Sequence, residues 1–111
     1  MERLLKAFFY SVDGIKAAWA DEPAFRQELY ALIPLVPLGI WLAPDKISLI
    51  MMLFSLILVL ICELINSAVE AVTDKTGTEC HPLAKKAKDT ASAAVLLAIV
   101  NVAIVWGVVL F

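Results

Sequence analysis

The sequence predicts an all-α membrane protein, a helical bundle with an N-terminal amphipathic helix in the membrane interface and three further helices across the bilayer. Three observations predict it. Of 111 residues, 62% are hydrophobic and 18% charged, against roughly 45–50% and about 25% in globular chains. The whole C-terminal stretch Thr90–Phe111 carries no Asp, Glu, Lys or Arg. A helix of that length is about 33 Å long, enough to cross a hydrocarbon core of ~30 Å, and a soluble domain of this size has too little interior to hide it. Finally, the N-terminal stretch sets apolar residues at helical spacing between charged ones, the pattern of a helix that lies flat.

Residues 1–21 form that first helix. Leu4, Leu5, Phe8, Val12, Ile15 and Trp19 share one face, with Arg3, Lys6, Asp13 and Lys16 between them. Asp13 and Lys16 also interrupt any secretory-signal pattern. Ala20-Asp21-Glu22-Pro23 breaks the helix, and Pro23 suits the first turn of the next. Three spans are expected over about 23–43, 47–74 and 88–111. The first is uncharged from Leu29 to Ala43, with Arg26 and Glu28 at the interface and Pro34, Pro37 and Gly39 as sites for a kink. Ala43-Pro44-Asp45-Lys46 is a turn. The next span is uncharged from Ile47 to Cys62 and continues as a polar helix towards Gly77, the expected C-cap residue. A short basic helix around Pro82–Asp89 leads into the last span. With no repeat or linker, residues 1–111 read as one domain.

Eight basic residues (Arg3, Lys6, Lys16, Arg26, Lys75, Lys85, Lys86 and Lys88) fall on one side of this layout and only Lys46 on the other. The positive-inside rule then puts the N-terminus and the loop between the second and third spans in the cytoplasm, and the C-terminus outside. A net charge of −2 excludes the basic face a nucleic-acid binder needs. Cys62 and Cys80 make neither a disulfide framework nor a metal motif.

The chemistry is concentrated in Glu63-Leu-Ile-Asn66-Ser67-Ala-Val-Glu70-Ala-Val-Thr-Asp74. At about 100° per residue, Asn66, Ser67, Glu70 and Asp74 all lie within about 60° of Glu63. Five polar groups, three of them acids, form one stripe on a helix that has just left an uncharged run. A carboxylate in lipid costs at least ~2.5–3.5 kcal/mol, so such groups face a protein interior or water and are functional by default. Three acids on one stripe call for a cation, and oxygen ligands suit Mg²⁺ or Ca²⁺, the former commonly shared with phosphate oxygens. Lys85-Lys86-Ala-Lys88-Asp89 supplies positive charge for a phosphate, with Lys85, Lys88, Asp89 and Ser92 on one face. Lys85 and Lys86 read equally as a topology signal. Glu22 is on local grounds a helix cap beside Pro23, His81 an ordinary loop histidine, and Trp19, Trp41 and Trp106 interfacial anchors.

The acidic stripe, with Lys85-Lys86-Ala-Lys88-Asp89, Ser92-Ala-Ala-Val and Ala17-Ala-Trp19-Ala-Asp-Glu22-Pro-Ala-Phe25-Arg26-Gln27-Glu28, resembles the signature of the prokaryotic diacylglycerol kinase family over nearly the whole chain. The resemblance implies an integral-membrane kinase of the bacterial inner membrane. Such a kinase is a homotrimer of subunits with a surface helix and three spans, and moves the γ-phosphoryl group of MgATP to diacylglycerol, giving phosphatidic acid. It implies Glu63 as catalytic base and Glu22 and Glu70 as the metal pair. Arg3, Tyr10, Asn66, Asp74, Glu79, Cys80, His81, Lys88 and Asp89 would surround the nucleotide with Glu22 and Glu70. Arg3, Trp19, Phe25, Arg26, Gln27, Glu28, Ser92 and Trp106 would meet the lipid beside Glu63. Val12 and Asp13 replace the aromatic and basic residues of better-known members. His81–Asp89 also looks like the undecaprenol kinase branch, which makes undecaprenol the alternative substrate. No P-loop or protein-kinase glycine loop is present. In a different class, a small proton-coupled multidrug transporter would want four spans and a lone acid, and a structural subunit of a larger complex leaves the stripe unexplained.

Overall fold

The computed structural model describes residues 1–76 and 82–111. They form four helices, α1 (Glu2–Asp21), α2 (Pro23–Leu42), α3 (Lys46–Thr76) and α4 (Pro82–Leu110), and no strand occurs among the described residues. The expected cap Gly77 lies outside them. The helices begin and end within a few residues of the expected positions, with one difference. The basic segment from Pro82 to Asp89 is not a separate helix but the first two turns of α4. Nothing from Leu83 to Trp106 interrupts it, because this stretch holds no Gly or Pro and its Leu, Ala and Lys residues favour helix.

Each corner has its own chemistry. Between α1 and α2, Glu22 is extended at φ −116°, ψ 101°, and Pro23 opens α2. The Arg26 guanidinium reaches back to donate to the carbonyls of Trp19 at 2.6 Å and Ala20 at 3.2 Å, which have no helical partner of their own. Phe25 and Ala18 are buried beneath this clasp. Between α2 and α3, the Asp45 carboxylate accepts the Ser48 N–H at 2.7 Å, a helix N-cap. That bond holds the exposed Asp45 carboxyl below the usual carboxylate range.

α3 is the spine, packing most extensively on α4 and then on α2. Its buried residues Met52, Ser55, Leu56, Val59, Glu63, Asn66 and Thr73 recur at helical spacing, so one face looks inward along almost the whole helix. Far from the acidic end, Trp106 ties three helices together. Its indole N–H donates to the Met52 carbonyl at 3.3 Å, and its ring lies against Gly39, where a Cβ would come within 3.2 Å. Glycine is what lets α2 approach.

Outside this spine the apolar surface points outward. Among the described residues two helices, α3 and α4, are long and apolar enough to cross a membrane, and only 28% and 11% of their apolar stretches are buried within the chain. A core helix of a soluble protein would be mostly covered. α2 is not one of these two, and Arg26, Gln27 and Glu28 occupy its first turns. α1 carries Leu4, Leu5, Phe8, Phe9 and Ile15 exposed. The molecule is a membrane protein built from a helical bundle.

Candidate active site

The acidic stripe continues the inward face of α3, and that continuity makes the site. Glu63 is 4% exposed and Asn66 7%, with the buried Val59 and Leu56 one and two turns before Glu63 on the same face. The α1–α2 corner brings Glu22 onto that face, where Ser67 Oγ donates to Glu22 Oε1 at 3.1 Å. The residue next to Ser67 holds another acid, since Asn66 Nδ2 donates to Glu70 Oε1 at 3.3 Å. Two neighbouring side chains on α3 thus position one carboxylate each, one from a distant helix corner and one from the next turn of the same helix.

Two buried oxygens here have no hydrogen-bond partner among the described residues, Asn66 Oδ1 and Glu28 Oε2. A buried acceptor without a donor is costly, which marks a place where a ligand group or water is accommodated. Glu28 and Glu63 interact electrostatically, and so do Glu63 and both Glu22 and Glu70. Four acidic side chains therefore come within electrostatic reach of one another in one region. No cluster of three or more His, Cys, Asp or Glu side chains set to hold a metal forms among the described residues. Two carboxylates with an unpartnered amide oxygen beside them instead fit a divalent ion that completes its shell with phosphate oxygens and water.

Below this patch, α2, α3 and α4 enclose a groove of about 370 Å³, lined by Leu32, Leu35, Leu56, Val59, Leu60 and Val102 among others, with Glu28 at its rim. Polar chemistry and an apolar slot meet at Glu28, which lines the groove and interacts electrostatically with Glu63. At the cytoplasm-directed end of the stripe in the expected topology, Lys88 Nζ bonds Asp74 Oδ1 at 2.9 Å and ties α4 to α3.

The comparisons with known proteins follow the same outline. Residues 9–110 match the family model for prokaryotic diacylglycerol kinase. The chain is 46% identical over 109 residues to the diacylglycerol kinase of Escherichia coli K12, covering 98% of this chain and 89% of that protein. It is 45% identical over 111 residues to the Haemophilus influenzae diacylglycerol kinase, with 100% and 94% covered, and 38% identical over 110 residues to that of Pseudomonas aeruginosa, with 99% and 89% covered. The chain belongs to the prokaryotic diacylglycerol kinase family.

For a member of this family, the structure sorts the residues expected at the site. It draws Glu22, Glu28, Glu63, Asn66 and Glu70 together. Asp74 and Lys88 pair with each other, while Asp89 is bonded instead to Lys85 at 2.7 Å on the exposed side of α4. Phe25 is packed inside the α1–α2 corner, Arg26 caps α1, and Trp19 stacks edge-on against Tyr30 with ring centroids 5.6 Å apart. Gln27 and Ser92 are exposed. Arg3 and Tyr10 lie towards the free end of α1, around a shallow depression with Glu2 and Lys6. Arg3 is about 22 Å of helix from the point where Ala18 is buried. Trp106 sits at the Met52 level of α3, about 16 Å of helix from Glu63. Glu79, Cys80 and His81 lie outside the described residues. Ser67 makes a contact with Glu22 for which sequence reasoning left it without a role. Its place on the stripe was the signal, but its partner comes from another helix corner.

Proposed function

We propose that the chain is an ATP-dependent lipid kinase that phosphorylates the hydroxyl of diacylglycerol at the membrane interface, giving phosphatidic acid and ADP. The observation that carries this reading is a buried Glu63, flanked by two positioned carboxylates, about one helix turn beyond Val59 and Leu60 of an apolar groove that can take an acyl chain.

Phosphoryl transfer rests on positioning and charge neutralisation more than on covalent help from the protein. Glu22, held by Ser67, and Glu70, held by Asn66, would bind Mg²⁺ together with ATP, and the free Asn66 oxygen adds an acceptor there. When bound, the ion would supply charge neutralisation for the phosphate oxygens, and the β–γ bridging oxygen would leave with ADP. Lys88, released from or shared with Asp74, offsets further negative charge. Glu63 stands deeper, about 10 Å of helix from Glu70, where the lipid hydroxyl arrives. It accepts the hydroxyl proton as the oxygen attacks the γ-phosphorus. Glu28, at the rim of the groove, orients the head of the lipid.

The same reading gives α1 a place flat on the cytoplasmic interface, supported by its exposed apolar face, and lets α2 join α3 and α4 as a third span. The N-terminus and the loop after α3 would face the cytoplasm of the bacterial inner membrane. One chain leaves the acidic patch open and Arg3 and Tyr10 distant from it. A homotrimer would close the site by sharing it between copies, and the largely uncovered α3 and α4 support such an assembly. The transporter reading has no observation in its favour once the family is known.

The test is direct. Purified protein is given labelled ATP with diacylglycerol or undecaprenol in separate mixed micelles. Label is expected in phosphatidic acid. Label in undecaprenyl phosphate alone would reassign the substrate, and label in neither lipid would sink the kinase reading.

A further inference from the structure

Asn101 is a polar residue that the site does not use. It stands close to the middle of the uncharged stretch Thr90–Phe111 of α4. Two other polar side chains deep in the apolar parts of α3 and α4 find partners inside the chain: Ser55 Oγ donates to the Met52 carbonyl at 2.6 Å and Trp106 Nε1 to the same carbonyl at 3.3 Å. Asn101 has no hydrogen-bond partner among the described residues. It is half-buried at a groove of about 400 Å³ in the seam between α3 and α4, lined otherwise by Ile50, Met51, Phe54, Leu58 and Val105. This groove and the one below Glu28 lie on opposite sides of the α3–α4 contact, because Ile99, Val102 and Ala103 of α4 face the latter.

Lipid tails offer a carboxamide nothing to bond. The side chain is also too short to reach the headgroups from mid-span, roughly 15 Å away. A carboxamide carries both donors and an acceptor, so it is complementary to itself and to the polar groups of another helix. We propose that the α3–α4 seam around Asn101 is the surface on which a second copy of this chain packs, with the Asn101 carboxamide hydrogen-bonded across that contact. The proposal rests on the self-association put forward above and adds the face that carries it. Phe54 and Ile50, 59% and 65% exposed, supply the apolar area around the bond.

Two measurements test it. A photoreactive benzoylphenylalanine in place of Asn101, irradiated in membranes, should yield an adduct of twice the chain mass. The same substitution at Leu96, exposed and about 140° away around α4, should give mostly lipid adducts. In sedimentation equilibrium in detergent, Asn101→Val should weaken assembly about 3-fold for each hydrogen bond lost, compounding to roughly 30-fold over three symmetric contacts. If the wild type is oligomeric but position 101 crosslinks only to lipid, or to a protein of another mass, and Asn101→Val assembles normally, the seam assignment is wrong and the assembly stands. A wild type that sediments as a monomer would overturn both.

Discussion

Ser67→Ala removes one oxygen and tests how the metal site is held. In the structure the Ser67 hydroxyl is the group that fixes the Glu22 carboxylate, through a bond of 3.1 Å between α3 and the α1–α2 corner. Glu22 is the extended residue at that corner, so without the bond its side chain is free to swing to solvent. A hydrogen bond to a charged acceptor contributes about 1.5–3 kcal/mol. Ser67 and Glu22 are both half-buried, and water replaces part of the bond, which leaves about 1–2 kcal/mol. That corresponds to a rise of roughly 5–30-fold in the Mg²⁺ concentration giving half the maximal rate. Turnover at saturating Mg²⁺ should change little, because the Ser67 hydroxyl is bonded to Glu22 and not to Glu63. Ser67→Thr keeps the hydroxyl and should restore most of the Mg²⁺ dependence. The assay follows phosphate transfer from labelled ATP to diacylglycerol in mixed micelles while Mg²⁺ is varied at fixed ATP. If Ser67→Ala lowered turnover at every Mg²⁺ concentration and left the half-saturation point unmoved, the claim that Ser67 positions a metal-binding Glu22 would be refuted.

Other expectations concern separate parts of the molecule. Glu63→Gln should cut turnover by about 10²–10⁴-fold while MgATP still binds, as expected for loss of a general base, whereas Glu70→Gln should chiefly raise the Mg²⁺ and MgATP required; equal loss of MgATP binding in both would merge their roles. Lys88→Ala breaks the bridge to Asp74 and should raise the ATP concentration needed with the helices still inserted, so an unchanged ATP dependence would reduce Lys88 to an interhelical tie. Thr78→Cys, in a Cys62→Ala, Cys80→Ala background, should resist an impermeant thiol reagent in intact cells, and labelling there would invert the topology. Asp45 is ionised with its carboxyl held below the usual range by Ser48, so its charged cap stabilises above the unfolded value of about 3.9 and is lost as pH falls through the lower folded value. Asp45→Asn should therefore lower Tm near neutral pH, and the gap to wild type should close as acid is added; a gap that widened in acid would reverse the sign of this argument.

Much of the fold is written in composition and spacing. An uncharged run from Thr90 to the C-terminus and a chain that is 62% hydrophobic leave few alternatives to helices in a membrane, because lipid satisfies no backbone polar group and the helix bonds its own. The stripe from Glu63 to Asp74 is equally legible, since helical periodicity alone puts those side chains on one face. The pairings are another matter. Nothing local says that Ser67 meets Glu22, that Lys88 chooses Asp74 over the adjacent Asp89, or that Arg26 turns back to cap α1. Periodicity says which face a residue is on, while a partner depends on how two helices cross and at what height. The Trp residues make the same point. Amphipathic character suggests headgroup anchoring for each, yet Trp106 finds a carbonyl on α3 and the space left by Gly39. The sequence by itself determined that acids would line the inward face of one long helix. Only the tertiary structure decided which further carboxylate joins them, because that follows from the extended corner at Glu22, which lets α1 and α2 leave the same point in different directions and carries a distant carboxylate onto α3.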